Sequence, residues 1–210
     1  MNRFILIFTY IISSYIFYIP VSLAANQTNG ITFTQNNDIL KRAALYLNSL
    51  TTLVADFHQV SPNGEISNGK FFLSRPGKLR IQYNPPVPIV MTINGSLISY
   101  YDYELDQLSH STAHDNLASF LTRKNISFFS SDIKVKMVDK SKGLIRIKLT
   151  KANKSKDGEL TLIFNDYPFT LKKLDITDAE GNTTSVSLSN TNFGTKIDSK
   201  LFVLTKKAKY

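Results

Sequence analysis

The stretch Gly69–Pro86 constrains this chain more than any other. Phe71 and Leu73 fall on one face of an alternating segment, with Lys70, Phe72 and Ser74 on the other. Leu79, Ile81 and Tyr83 fall on one face of a second segment, with Lys78, Arg80 and Gln82 opposite. A period of two sustained on both sides of a turn predicts a half-buried antiparallel hairpin. Pro76-Gly77 supplies the turn: proline presets one corner, and glycine takes the positive φ that a type II turn requires. Arg75 is the anomaly. By alternation it belongs to the apolar face with Phe71 and Leu73, where a guanidinium without acceptors is very costly.

The same period recurs along most of the chain. Leu53, Ala55, Phe57 and Gln59 alternate with Val54, Asp56, His58 and Val60, and Pro62-Asn63-Gly64 turns the chain into the central hairpin. Ile89, Met91 and Ile93 alternate after Pro85-Pro86, and Asn94-Gly95 is a strong hairpin signal. Leu97–Tyr101 is apolar on both faces, so its inner side stays open, while Leu105 and Leu108 continue the meander. Further alternation runs through Ile133, Val135 and Met137, then Ile145, Ile147 and Leu149, then Leu160, Leu162 and Phe164. Leu174, Ile176, Val186 and Leu188 follow, and Leu201–Leu204 reads as a final edge strand. Regular short strands with small turns predict one large antiparallel sheet or barrel.

Two segments break the pattern. Asn26–Asn36 is polar and reads as loose, after which Asn37-Asp38 caps a helix starting at Ile39. Ile39, Ala43, Tyr46, Leu47 and Leu50 give that helix an apolar stripe for packing on the sheet. The second segment is His114–Lys124, a short helix with Leu117, Ala118, Phe120 and Leu121 on one face. By pattern alone it could merely plug one end of a barrel.

Residues 1–24 read as a cleaved secretory signal: Arg3, the apolar run Phe4–Ile19, Pro20, and Ser22-Leu23-Ala24 before a new N-terminus at Ala25. An uncleaved anchor is the competing reading, but the run is short against the roughly 20 apolar residues a span needs. Residues 25–210 then form a single domain. Cleavage removes Arg3 and so one unit of the formal net charge of +9. A basic balance suits anionic membrane, nucleic acid or an acidic protein surface, or serves solubility alone. The chain has no cysteine, which excludes disulfides, thiol catalysis and attachment of a lipid through cysteine.

Catalytic and metal motifs are weak. His58, His110 and His114 have no metal-ligand spacing, and no cofactor is indicated. Asp102, Glu104 and Asp106 line one strand face, where acid–base work competes with a plain solvated surface. Asp178–Asn182 lacks the ligands of a calcium loop: Ile176 stands at its first position and Ser187 at its twelfth. No nucleophile elbow or phosphate loop is present. The lysines interleave with aliphatic residues rather than stacking aromatics, which argues against nucleic acid.

The central hairpin resembles the Gly-x-Phe-x-Leu-x-Arg-Pro-Gly-x-x-Arg-x-x-Tyr-x-x-Pro pattern of the LolA family of lipoprotein carriers. Ile81 stands where that family often has an aromatic residue. Ala55-Asp-Phe-His-Gln59 and Tyr100-Tyr-Asp-Tyr-Glu-Leu-Asp-Gln107 are similar to family segments in the same order. The resemblance covers nearly all of residues 40–205. It implies a mainly β fold, an incomplete antiparallel barrel under an α-helical lid that includes Leu117, Phe120 and Leu121. It further implies a periplasmic monomer that takes triacylated lipoproteins from the inner-membrane LolCDE transporter to an outer-membrane acceptor, LolB or its equivalent. On that reading Leu53, Ala55, Phe57, Phe71, Leu73, Leu79, Ile81, Tyr83, Ile89, Met91 and Ile93 line the acyl-chain cavity. Arg75 is then a latch whose guanidinium holds lid carbonyls. Without a cysteine the chain cannot be a lipid-anchored receptor of the LolB kind. The alternatives are an envelope-stress regulator of the RseB type and an enzyme that uses the barrel as a lipid pocket.

Overall fold

A computed structural model describes residues 27–113, 117–154 and 158–205. The segment expected to be an export signal, and His114 with its two successors, lie outside the described residues. Among the described residues one α-helix, α1 (Gln27–Ser49), precedes the strands. The strands are β1 (Thr52–Val60), β2 (Ile66–Ser74), β3 (Lys78–Tyr83), β4 (Ile89–Asn94), β5 (Leu97–Asp102) and β6 (Gln107–Thr112). The series continues with β7 (Ile133–Ser141), β8 (Leu144–Lys151), β9 (Glu159–Asn165), β10 (Thr170–Thr177) and β11 (Thr183–Phe193). All eleven join one antiparallel sheet in the order β6-β5-β4-β3-β2-β1-β11-β10-β9-β8-β7. Its end strands, β6 and β7, do not pair with each other, so the curved sheet stays unclosed. Only β1 with β11 joins strands distant in sequence; every other pairing is between neighbours.

Alternation sets the two faces. Leu53 pairs with Leu73, Leu73 with Leu79, and Leu79 with Ile93, so these side chains stack in one row across four strands. The row continues through Ile98, the partner of Ile93, which settles the inner side of β5. Ile145, Ile147, Leu149, Leu160, Leu162 and Phe164 build the other half of the same core. Gly69 in β2 marks a close approach. A Cβ there would sit 2.0 Å from the Gln82 carbonyl oxygen and 2.6 Å from the Phe57 ring, so only glycine fits.

Four expectations are corrected. The helix does not start at Ile39 behind a cap at Asn37-Asp38; α1 already runs from Gln27, with Asp38 inside it and 3.9 Å from Lys41 one turn on. A residue that can cap a helix does not oblige one to begin there. The second helical segment is a 3-10 helix limited to Leu117–Thr122 among the described residues. Leu201–Leu204 is not an edge strand: Ser199–Phe202 is a 3-10 turn capped by the Asp198 side chain. It lies on the outer face of β3 and β4, where Arg80 donates from Nη1 to the Leu201 carbonyl at 2.8 Å and Phe202 is buried. Leu204 completes a small outer cluster with Val90 and Tyr101. Finally, Asp102, Glu104 and Asp106 do not line one strand face: Asp102 ends β5 and the other two lie in the turn after it. Residues 103–106 are a turn, and the Asp102 carboxylate accepts from the backbone N–H groups of Glu104 and Leu105 at 2.9 and 3.1 Å.

Candidate functional site

The inner face of the sheet is covered from two sides. From one side α1 lays Ile39, Leu40, Ala43 and Leu47 onto it, with Leu50 just after its end, all buried. Tyr46 adds a polar tie, its hydroxyl accepting from the Leu171 N–H at 3.1 Å. Burial without a charged partner raises the Tyr46 phenol pKa above its usual value. Arg42 reaches the β9–β10 turn, donating to the Asp166 carboxylate at 2.7 Å and to its carbonyl at 2.6 Å. That pair is open to solvent, which screens it, so it adds little to stability. From the other side comes the segment 117–128, which we term the cover. Its Phe120, Leu121, Ile126 and Phe128 are all buried in the core, with Leu117 packed at the margin. The Phe120 and Phe128 rings lie 5.5 Å apart.

Arg75 sits where sheet, helix and cover meet. It follows the last residue of β2, in a three-residue loop whose Gly77 takes a φ of 80°. Its side chain does not run along the apolar face but turns to the end of α1. Nε donates to the Arg123 carbonyl at 2.8 Å. Nη2 donates to the carbonyls of Arg123 at 2.6 Å and Lys124 at 3.1 Å, and to the Asn48 side-chain oxygen at 3.0 Å. Nη1 donates to the Leu47 carbonyl and, at 3.4 Å, to that of Leu50. The Leu47 carbonyl belongs to the last turn of α1, where from the main chain it receives only the Leu50 N–H at 3.3 Å and carries the negative end of the helix dipole. A cation placed there is favourable without any carboxylate. Burial pulls the guanidinium pKa below its usual value, which still leaves it charged.

Two neighbours reinforce this junction. Asn48 closes a pair of bonds with Ile126, donating to its carbonyl at 2.9 Å and accepting its N–H at 2.8 Å. The Gly77 N–H donates to the Thr122 carbonyl at 2.7 Å, tying the β2–β3 loop to the cover. Alternation and spacing drew no attention to Asn48. Its only sequence signal is an amide one residue from a helix end, a common place for capping.

The other residues expected to line a cavity divide into three groups. Leu53, Ala55, Phe57, Phe71, Leu73, Leu79 and Ile93 are buried in the core. Ile81, Tyr83 and Met91 pack half-buried against it, and Tyr83 donates its hydroxyl to the Gln59 side-chain oxygen at 2.8 Å. Ile89 is half-buried at the start of β4, outside the two clusters. The inner face is thus occupied by the protein's own side chains from α1 and the cover. Among the described residues no group of three or more histidine, cysteine, aspartate or glutamate side chains could hold a metal ion. No helix among them is long and apolar enough to cross a membrane.

The family described as outer membrane lipoprotein carrier protein LolA matches residues 48–205, about three quarters of the chain. The chain belongs to the LolA family. An outer-membrane lipoprotein carrier protein of Legionella pneumophila (strain Corby) is 29% identical over 166 residues, covering 74% of this chain and 80% of its own. An uncharacterised protein of Rickettsia prowazekii (strain Madrid E) is 28% identical over 144 residues, 69% of this chain and 66% of that protein. Among solved structures, a DUF1329 family protein of Desulfovibrio piger superposes with a TM-score of 0.51 at 10% identity. It covers 81% of this chain and 96% of that one, and its likeness concerns the fold alone. The family match spans the central hairpin, the cover and the C-terminal turn, so the junction at Arg75 lies within it except for Leu47, one residue before its start.

Proposed function

We propose that this protein is a periplasmic carrier that shields the acyl chains of lipoproteins between its sheet and its cover, and delivers them from the inner to the outer membrane. The observation that carries this reading is the construction of the inner face. A sheet of eleven strands turns one apolar side toward α1 and the cover, and one arginine holds both covering pieces through their main-chain carbonyls. The family's description as a lipoprotein carrier supports the same reading. Residues 1–24 serve as the export signal and residues 25–210 as the carrier domain.

Magnitudes show how such a device can work. Phe120, Leu121, Ile126 and Phe128 are each worth about 1.5–3 kcal/mol when buried, so the cover closes with roughly 6–12 kcal/mol of apolar contact. A single acyl chain of about sixteen carbons, at about 0.8 kcal/mol per methylene, gains a similar amount on leaving water. Three chains exceed the cover's own grip, so such cargo displaces these side chains, and smaller apolar ligands do so more weakly. The excess is moderated by the broken Arg75 bonds, each worth about 1.5–3 kcal/mol to a charged donor. That cost favours return of the cargo and keeps binding reversible.

The direct test is mass spectrometry under native conditions on protein purified from the periplasm of its host. The expected result is a population carrying one acylated lipoprotein, lost when the acyl chains are removed enzymatically. Protein free of acylated cargo, from cells that make abundant lipoprotein, would refute the carrier role.

A further inference from the structure

Beside the Arg75 junction lies a groove of about 410 Å³ with two unlike walls. One wall is sheet: Gly77 at the β2–β3 loop and Gly95-Ser96, the two-residue loop of the β4–β5 hairpin. The two loops are tied together, the Gly95 N–H donating to the Gly77 carbonyl at 2.8 Å. The other wall is cover: Thr122, Arg123 and Lys124. These are the residues whose main-chain oxygens Gly77 and Arg75 hold. The groove therefore exists only while the cover is down. Any ligand that touches both walls must favour the closed form, since it binds one of two states and shifts the balance toward it.

The lining specifies the ligand's charge. Arg123 and Lys124 supply two cations against one carboxylate, Asp132. Arg123 is fixed in direction, its guanidinium 4.9 Å from the Phe120 ring centre and donating to both Asp132 carboxylate oxygens, through Nη2 at 2.5 Å and Nη1 at 3.3 Å, so Lys124 is the cation left for a ligand. Lys124 is exposed, and among the described residues no carboxylate lies within ion-pair distance of it. The glycines leave the sheet wall bare: nothing lies within 4 Å of a Cβ built at Gly95, and at Gly77 only Gly95 does. Backbone open to approach beside the Lys124 cation and the Ser96 hydroxyl suits a compact oxyanion with several acceptor oxygens. The net charge of +9 adds a long-range pull in the same direction.

We propose that this groove binds a phosphate group, as free phosphate or as a phospholipid headgroup, and that binding holds the cover closed. The site itself stands on the groove's geometry. Its effect on ligand uptake rests on the carrier reading, and the experiment separates the two. Thermal unfolding of the mature protein is followed in sodium phosphate, in glycerol phosphate and in chloride of equal ionic strength. Uptake of a hydrophobic fluorescent dye is measured in the same solutions, and again with phosphatidylglycerol vesicles against phosphatidylcholine vesicles. Phosphate is expected to raise the unfolding temperature beyond chloride and to weaken dye binding about fivefold, the low end of ordinary coupling between two sites. Ser96→Asp places a carboxylate in the groove and is expected to abolish both effects; because that carboxylate can itself reach the cations of the cover, its dye binding in chloride is expected to be no stronger than the wild type's. Lys124→Ala is expected to reduce both. Action by the soluble phosphates assigns the site to a free anion, and action by the anionic vesicles alone assigns it to a headgroup. A phosphate response no larger than chloride's in every form, or one retained in full by both variants, would overturn the proposal. A protein that takes up no dye under any condition would sink the carrier reading and leave the unfolding temperatures to decide the site.

Discussion

Arg75→Leu is expected to load acylated lipoprotein at least as well as the wild type and to hand it to acceptor membranes about tenfold more slowly, or slower still. The reason is an asymmetry between the two states. Closed, the guanidinium satisfies carbonyls of Leu47, Leu50, Arg123 and Lys124, together with Asn48. Open, those bonds are broken and water replaces them incompletely. Removing the arginine takes stability from the empty closed form and none from the loaded open one. The net contribution of even one charge-assisted bond is about 1.5–3 kcal/mol. Because about 1.4 kcal/mol is a factor of ten in an equilibrium, the loaded state gains tenfold or more. Leucine also makes the mouth of the cavity more apolar, which acts in the same direction. Timed transfer of a labelled lipoprotein to acceptor membranes checks this. Handover at the wild-type rate would remove the latch from the account. Failure to load would mean that Arg75 holds cargo instead.

The second large effect is expected from Phe120→Asp combined with Leu121→Asp. Both side chains are at most 4% exposed and face the core beside Phe128 and Ile126. Each aspartate removes about 1.5–3 kcal/mol of apolar contact between cover and ligand. Each also puts a carboxylate where burial of a charge is prohibitive. The cover then cannot seal over an apolar ligand, and affinity for a hydrophobic dye is expected to fall at least about tenfold. The sheet is expected to survive, because its ladder runs unbroken from β6 to β7 without any pairing to the cover. Circular dichroism tests that half of the statement. Native dichroism with unchanged dye affinity would show that the segment is not a lid.

The contrast between what the sequence displayed and what it concealed follows from how each element is stabilised. The central hairpin was legible because one face meets the core, so Phe71, Leu73, Leu79 and Ile81 share it while Lys70, Lys78, Arg80 and Gln82 fall on the other. Arg75 was legible for the opposite reason: it breaks an otherwise apolar face, and the cost of that break required acceptors to exist somewhere. Which acceptors could not be read, because they are main-chain carbonyls 25 to 49 positions away and carbonyls have no sequence. Asn48 stayed hidden because its role depends on Ile126 lying opposite, a matter of tertiary packing alone. The start of α1 was misplaced because Asn37 and Asp38 permit a cap without enforcing one. Leu201–Leu204 resembled a strand because Phe202 and Leu204 are both buried. They are buried against the outer face, in a turn secured by Arg80. The carboxylates of Asp102 and Asp106 shared a period with strand residues, but turn hydrogen bonding captured them first.

The central claim is that acyl chains displace the cover from the sheet. The chain contains no cysteine, so Asn94→Cys on the β4–β5 hairpin and Lys124→Cys on the cover give a protein that can be spin-labelled at those two exposed positions alone. The distance between the labels, measured by pulsed electron resonance, is predicted to lengthen when triacylated lipoprotein binds and to stay at its empty value when the same protein is supplied without its acyl chains. An unchanged distance with acylated cargo bound, or an equal lengthening with the unacylated form, would contradict the account.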